Sequence, residues 1–308
     1  MDVALGRPEV LVDVAERRPA RRWDIFLQLN FCIPVLVLTI MVLGAIFAPL
    51  IAPYDPLQTS LSARLAPPAF AGGSEAHLLG TDKLGRDVLS RIIYGARVSL
   101  SVSLLVILIT GTIGTTLGII SGYFGGWLDS LLMRVTDVSL AFPGILIALL
   151  LAVTLGPSFT TVVLAISLLG WAAYARLIRG EVLKLRNADF VAQARIIGCS
   201  PGRIMLTHIF PNVVNPLLIL ATLSVGLVIL IESALSYLGA GIPPPTPSWG
   251  SMVSDGRGLI DTAWWISFFP GLAIGMLVLC VNYLGDWLRD ALDPRLRRTR
   301  QPGKAGAL

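Results

Sequence analysis

The stretch that decides the reading is ADFVAQARIIGCSPGRIMLTHIFPN, residues 188–212. Asp189 is an acidic residue suited to a helix N-terminus, and Gly198, nine positions on, is suited to a helix stop. Between them Phe190, Ala194 and Ile197 recur at helical spacing. Cys199-Ser200-Pro201 offers a second start, Ile204-Met205-Leu206 with Ile209 gives a second apolar face, and Pro211 is placed to open the helix that follows. The expectation is a short helix-turn-helix, far longer than a simple connection between two helices needs.

On either side the chain is too apolar for a water-soluble fold. It has 308 residues, 55% hydrophobic and 14% charged, with a mean hydropathy of +0.77, more apolar side chain than an interior could hide. A hydrocarbon core of about 30 Å takes roughly 20 helical residues. Six runs qualify: 31–52, 98–123, 138–155, 159–177, 213–238 and 264–284. Residues 138–175 hold 38 positions without a charge. Gly156-Pro157-Ser158 divides them into a helical hairpin. Its first arm is short, so its helix is expected to begin near Asp129 and to carry Arg134 and Asp137 inward from the interface. Glu232 interrupts the fifth run, and Trp264-Trp265 opens the sixth at an interfacial belt.

The formal net charge is +5, but the basic residues flank apolar runs instead of forming a nucleic-acid patch. With both termini on one side, that side holds 18 Lys and Arg and the other 6. The richer side is cytoplasmic by the positive-inside rule. Both termini and residues 188–212 are therefore expected there. Two outer segments, 53–97 and 240–263, are rich in Pro and Gly. Pro243-Pro244-Pro245-Thr246-Pro247 cannot continue a helix, so these are expected to be structured loops or re-entrant caps.

Little here suggests chemistry. Cys32, Cys199 and Cys280 are too few and too far apart for a zinc site or a disulfide framework. LNFC around Cys32 lacks the small residues of a lipoprotein box, and the apolar run continues too far for a signal segment, so the first helix is expected to be retained as an anchor. There is no phosphate loop, since Gly303-Lys304 is followed by alanine. His77 and His208 fall on opposite faces of the membrane and share neither a metal nor a proton relay. No catalytic, metal or cofactor site is expected. A secondary transporter would need paired carboxylates at mid-depth, and an intramembrane enzyme a clustered nucleophile and base; neither is present.

Residues 188–212 resemble the coupling loop of binding-protein-dependent ABC importer permeases, with Gly198 at the turn glycine. The usual core is Glu-Ala-Ala, three residues, then Gly. Those places are Ala192, Gln193 and Ala194 here, so only the third residue and the glycine are kept. The flanks, Asp189-Phe190-Val191 before and His208, Pro211 and Asn212 after, are similar to the dipeptide and oligopeptide branch. LGTDKLGRDVLSRIIYGARVSL at 79–100, ESALSYLGAGIPPPTPSWGSM at 232–252 and NYLGDWLRDALDPRLR near the end agree. The resemblance is to the C-type subunit of the permease pair. It implies an all-α integral membrane protein with six transmembrane helices and the type I ABC importer permease fold (MetI-like). The expected organisation is a cytoplasmic tail at 1–30, a first helix and periplasmic loop at 31–96, a permease domain at 97–286 and a cytoplasmic tail at 287–308. The implied partners are a second, B-type permease subunit, two ATP-binding subunits, a periplasmic or lipid-anchored substrate-binding protein and the bilayer of the bacterial inner membrane.

In that reading Phe190, Ala194 and Ile197 form the contact face toward an ATPase. Gly198 allows the sharp exit, and Arg195 and Arg203 bind acidic or carbonyl groups of the partner. His208 packs within the loop. The plain alternative is an amphipathic connector lying on lipid headgroups. Charges inside the membrane are functional suspects. Arg134 and Asp137, three apart, are expected to pair with each other ahead of contacting substrate, while Glu232 either lines the cavity or pairs structurally with the partner permease. In the outer signature, Gly80, Asp82, Gly85, Arg86 and Asp87, with Arg97 beyond them, are expected first to fold the loop, ahead of docking a binding protein or closing a gate. Peptide is the expected cargo. Nickel chelate, glutathione and some sugar importers share this permease architecture.

Overall fold

The structure, a computed structural model, describes residues 29–292. The outermost parts of both expected tails lie outside the described residues. Nine helices organise the rest: α1 Leu29–Ile46, α2 Val88–Phe124, α3 Gly126–Ala141, α4 Gly144–Leu155, α5 Phe159–Leu185, α6 Asp189–Ile196, α7 Pro201–Tyr237, α8 Trp249–Gly256 and α9 Trp265–Leu292, with short turns between.

By length and composition α2, α5, α7 and α9 each suffice to cross a membrane. α3 and α4 make a further span only as a pair bent by 82°, and α1 is a shorter apolar helix. The order of apolar segments is the expected one, but the third segment differs. A single straight arm beginning near Asp129 is not formed. The helix starts at Gly126, breaks after Ala141, and restarts at Gly144 with Pro143 as its N-cap. Proline has no N–H to donate and its ring collides with the preceding turn, so it ends α3 where the apolar run alone continues.

The second correction concerns the loop at 188–212. Its first helix forms as α6, but the second is not a separate element. It begins at Pro201, passes through a π-turn at Met205–Ile209, and continues as α7 without a break. Pro211 therefore does not open a new helix. The widened turn just before it accommodates a residue that cannot donate to the ladder.

α2 is also longer than its apolar run. Asp87 caps it, accepting from the N–H of Ser90 at 2.8 Å, so Arg91 and Arg97 lie in the helix and not in the loop before it. At about 1.5 Å per residue its 37 residues span about 55 Å, more than a ~30 Å hydrocarbon core. The first turns stand out of the membrane as a platform for the outer loops. α2 and α5 pack most closely, along Gly114, Gly118 and Gly122. A Cβ on Gly118 would lie 2.7 Å from the Ala175 carbonyl oxygen, and one on Gly114 2.4 Å from that of Trp171. Tyr174, Ala175, Ile178 and Val182 bury themselves in this seam. Within lipid such close packing, not hydrophobic exclusion, joins helices.

Candidate functional site

At the end of the bundle expected to face the cytoplasm, the inner end, α6 is seated on its own subunit by Val191 and Ala194, both buried, in a cluster with Ile119, Ile178, Val182, Ile204, Ile209 and Val213. Ile196 and Ile197 stay 85% and 81% exposed, and Phe190 39%. The expected contact face is therefore corrected: Ala194 belongs to the inward side with Val191, three residues before it, and the outward apolar set is Phe190, Ile196 and Ile197. The signal for Val191 was present as i, i+3 spacing, but only docking chooses between it and the i, i+4 set.

Gly198 has φ +87°. Its N–H donates to the Arg195 carbonyl at 3.0 Å, and the Cys199 N–H to that of Ala194 at 3.0 Å. This pair of bonds is the Schellman stop, for which glycine at the left-handed position is the least strained residue. Ser200 then caps α7, accepting from the N–H of Arg203 at 3.4 Å. Asp189, Arg203 and Pro211 are exposed, and His208 is half-buried in the π-turn with Nδ1 2.8 Å from Thr207 Oγ1. Arg195 also touches its own subunit. Its guanidinium lies over the Tyr123 ring, 5.2 Å from the centroid, so it ties α6 to the end of α2.

At the opposite end, the one expected to be outer, the signature residues converge. Gly80 and Gly85 take positive φ, +78° and +71°, which turns the chain so that Asp82 faces inward. Its carboxylate accepts from the N–H groups of Leu84 and Arg86 at 2.8 and 3.0 Å and from Arg86 Nε at 2.7 Å, and it pairs with Arg91. Burial alone would raise its pKa. The Arg91 guanidinium, the two backbone donors and Arg86 outweigh that and hold the carboxyl below the usual range. Asp255 reaches the same arginines at 3.9 and 3.7 Å and Lys83 at 2.6 Å. Asp87, besides capping α2, accepts from Ser90 Oγ at 2.8 Å and lies 3.0 Å from His77 Nδ1. Two indoles complete the cap: Trp249 Nε1 donates to Ile92 O at 2.9 Å and Trp265 Nε1 to Thr81 O at 3.0 Å. Arg86 and Asp87 thus hold the loop together, whereas Arg97 is exposed and apart from this network.

The membrane charges are placed differently from expectation. Asp137 pairs with Arg176 of α5, not with Arg134, because the α3–α5 crossing brings a nearer cation. Arg134 is exposed. Asp129 receives Arg179 at 2.7 and 3.0 Å, with Ser121 Oγ also bonded to it. Glu232 is fully buried; Ser236 Oγ donates to it at 2.8 Å and Ser99 Oγ at 3.4 Å. It is closed over inside this chain, so in this structure it lies neither on a cavity wall nor on a face toward a second subunit. An apolar groove of about 590 Å³ runs beside the π-turn, lined by residues such as Thr112, Thr116, Met205 and Phe210.

The bundle thus has one end with an exposed apolar tip on a docked helix and one end with a self-satisfied polar cap. The sequence profile described as binding-protein-dependent transport system inner membrane component matches residues 114–298, which include α6 and the turn after it. The chain belongs to this family. A second profile, the N-terminal TM domain of oligopeptide transport permease C, matches residues 35–68. Among curated relatives, the Escherichia coli K12 dipeptide transport system permease protein DppC is 48% identical over 278 residues, 90% of this chain and 93% of that protein. Its Haemophilus influenzae namesake is 42% identical over 267 residues, covering 86% and 90%. The Pseudomonas aeruginosa di/tripeptide transport system permease protein DppC is 42% identical over 264 residues, covering 85% and 87%. Among solved structures, the MetNI methionine ABC transporter in inward-facing conformations matches with TM-score 0.55 at 15% identity, over 66% of this chain and 96% of that one. An amino acid ABC transporter matches at 0.51 and 16%, over 66% and 95%. These two likenesses support the MetI-like fold. A member of this family is a multi-pass permease component, not an enzyme.

Proposed function

We propose that this chain is the C-type permease subunit of a di- or oligopeptide ABC importer, forming half of the translocation pathway. The observation that carries the reading is the docked α6 whose far end leaves Ile196 and Ile197 uncovered beside the Gly198 turn. A pair of isoleucines held in water by a rigid stop is an apolar knob for a groove on another protein. An ATP-binding subunit seated there would pull on α6. Val191 and Ala194 would pass that movement to α5 and α7, and Arg195 would pass it through Tyr123 to α2. The full assembly on this reading has a second, B-type permease, two ATP-binding subunits and an external substrate-binding protein, in a bacterial inner membrane with both termini cytoplasmic. This chain itself binds no cofactor.

Peptide as cargo is supported by the 42–48% identity to dipeptide permeases across most of the chain. The test is uptake by proteoliposomes holding the whole complex and its binding protein. Saturable, ATP-dependent accumulation of a labelled dipeptide is expected, outcompeted by unlabelled di- and tripeptides. Uptake of a nickel chelate or glutathione with no dipeptide uptake would overturn the substrate. Uptake driven by an ion gradient without ATP would overturn the class.

A further inference from the structure

Of the two arginines in α2, Arg97 is the one the cap does not use. Arg86 and Arg91 are buried and paired with Asp82, and Arg257 lies over the Tyr237 ring. Arg97 is exposed, on the wall of a groove of about 730 Å³ between α1, α2, α7 and α9. Its side chain has no hydrogen-bond or ion-pair partner among the described residues. The Tyr54 N–H donates to Ser90 Oγ at 3.1 Å, which sets the outer end of the first apolar run level with Ser90. Arg97 follows seven residues later, about 10 Å along the helix at ~1.5 Å per residue, and stands directly before the apolar run 98–123, at the level of the headgroups. An unpaired cation at the edge of the hydrocarbon is stabilised by an anion of the headgroup layer, which a long arginine side chain can reach.

The groove shows what kind of anion. From Arg97 and Ile46 it descends past Leu104 and Ile107 toward Val281 and Leu284. From Arg97 to Ile107 is about 15 Å of helix, half of a ~30 Å core and so one leaflet deep. Its hydroxyls are already committed. Ser101 Oγ donates to Arg97 O at 2.7 Å, Ser103 Oγ to Ser99 O at 2.9 Å and Thr222 Oγ1 to Leu218 O at 2.8 Å. Below Arg97 a peptide lying there would find no free hydroxyl donor for its backbone carbonyls. A hydrocarbon chain needs none.

We propose that Arg97 and this groove form a site for one anionic phospholipid of the outer leaflet. The guanidinium holds the phosphate, and an acyl chain lies along Leu104, Ile107, Val225 and Val281. The bound lipid fills the gap between α1 and the rest of the bundle. This site does not depend on the identity of the transported solute.

The test uses the assembled transporter in nanodiscs of phosphatidylcholine with or without phosphatidylglycerol, followed by native mass spectrometry of the released complex. Wild type should retain one phosphatidylglycerol more than Arg97→Gln, with equal phosphatidylcholine retained by both. Arg97→Lys, which keeps the charge, should retain an intermediate amount and serves should the glutamine variant fail to assemble. A photoreactive residue at position 101 should cross-link to lipid. Equal phosphatidylglycerol retention by wild type and variants would overturn the site. So would cross-linking at 101 to another subunit or to a peptide.

Discussion

The two ends of this bundle are built on opposite principles. The outer cap satisfies itself: Asp82 is enclosed by Arg86, Arg91 and two backbone donors, and Trp249 and Trp265 each spend their indole N–H on a carbonyl of the chain. The inner end does not. α6 is attached by two small apolar side chains and one cation–π contact, and it leaves two isoleucines more than 80% exposed. A closed end resists change, and an end with uncovered apolar surface is completed by something else. Substitutions at the cap should therefore cost stability, and substitutions at the tip should cost assembly while sparing stability.

The seam that joins the two ends should give the largest effect. Gly118→Leu places side chain where a Cβ already meets the Ala175 carbonyl at 2.7 Å and Ile178 at 2.9 Å. Overpacking costs about 1–3 kcal/mol where side chains can shift; here the added atoms meet backbone on a helix that cannot yield, the cost exceeds that of any cap variant, and folded protein recovered from membranes should fall several-fold. A fluorescence-detected size-exclusion profile checks it.

Asp82→Asn should come close behind. It leaves the buried Arg91 and Arg86 with only the more distant Asp255 carboxylate, a class of change that costs up to about 3–5 kcal/mol, and should lower the melting temperature in detergent markedly. The pH dependence sharpens this. Asp82 is held below its unfolded value, so its contribution is present above about pH 4 and is lost as pH falls through the lower folded value. Wild type should lose stability on acidification through that window, and the Asn variant should lose less. Identical acid limbs would show that the cap is not held by this charge.

Trp249→Phe should be milder, about 1 kcal/mol for the bond to Ile92 O, again read as a thermal shift. Mildest at the cap's opposite end is Ser200→Ala, which removes the cap of α7 at about 1 kcal/mol or less. A large destabilisation by this last change would mean that the inner end is as tightly tied as the outer, and the contrast would fail.

Much of the architecture was legible because lipid demands apolar runs of fixed length, and Gly156-Pro157-Ser158 punctuates the longest one. The cap at Asp82 was legible as a cluster of glycines and charges, although not its partner Asp255, which comes from 173 residues further on. What could not be read were choices made by packing. The apolar count ran straight through Pro143, which breaks α3 from α4. Asp137 had a cation three residues away and took Arg176 instead, since a neighbouring helix lay closer. In α6 two apolar stripes competed, and only contact with Ile178 and Val213 selected Val191 and Ala194 for burial. For Glu232, depth alone left cavity lining and structural pairing both open; Ser99 and Ser236 enclose it.

The central claim is that the tip of α6 is an unfinished surface awaiting an ATP-binding subunit. The direct measurement is co-purification of that subunit with the double variant Ile196→Ser, Ile197→Ser, in parallel with the melting temperature of the permease. The account predicts at least a tenfold loss of bound ATP-binding subunit with the melting temperature of the permease unchanged. Full retention of the subunit, or loss only alongside an unfolded permease, would contradict it.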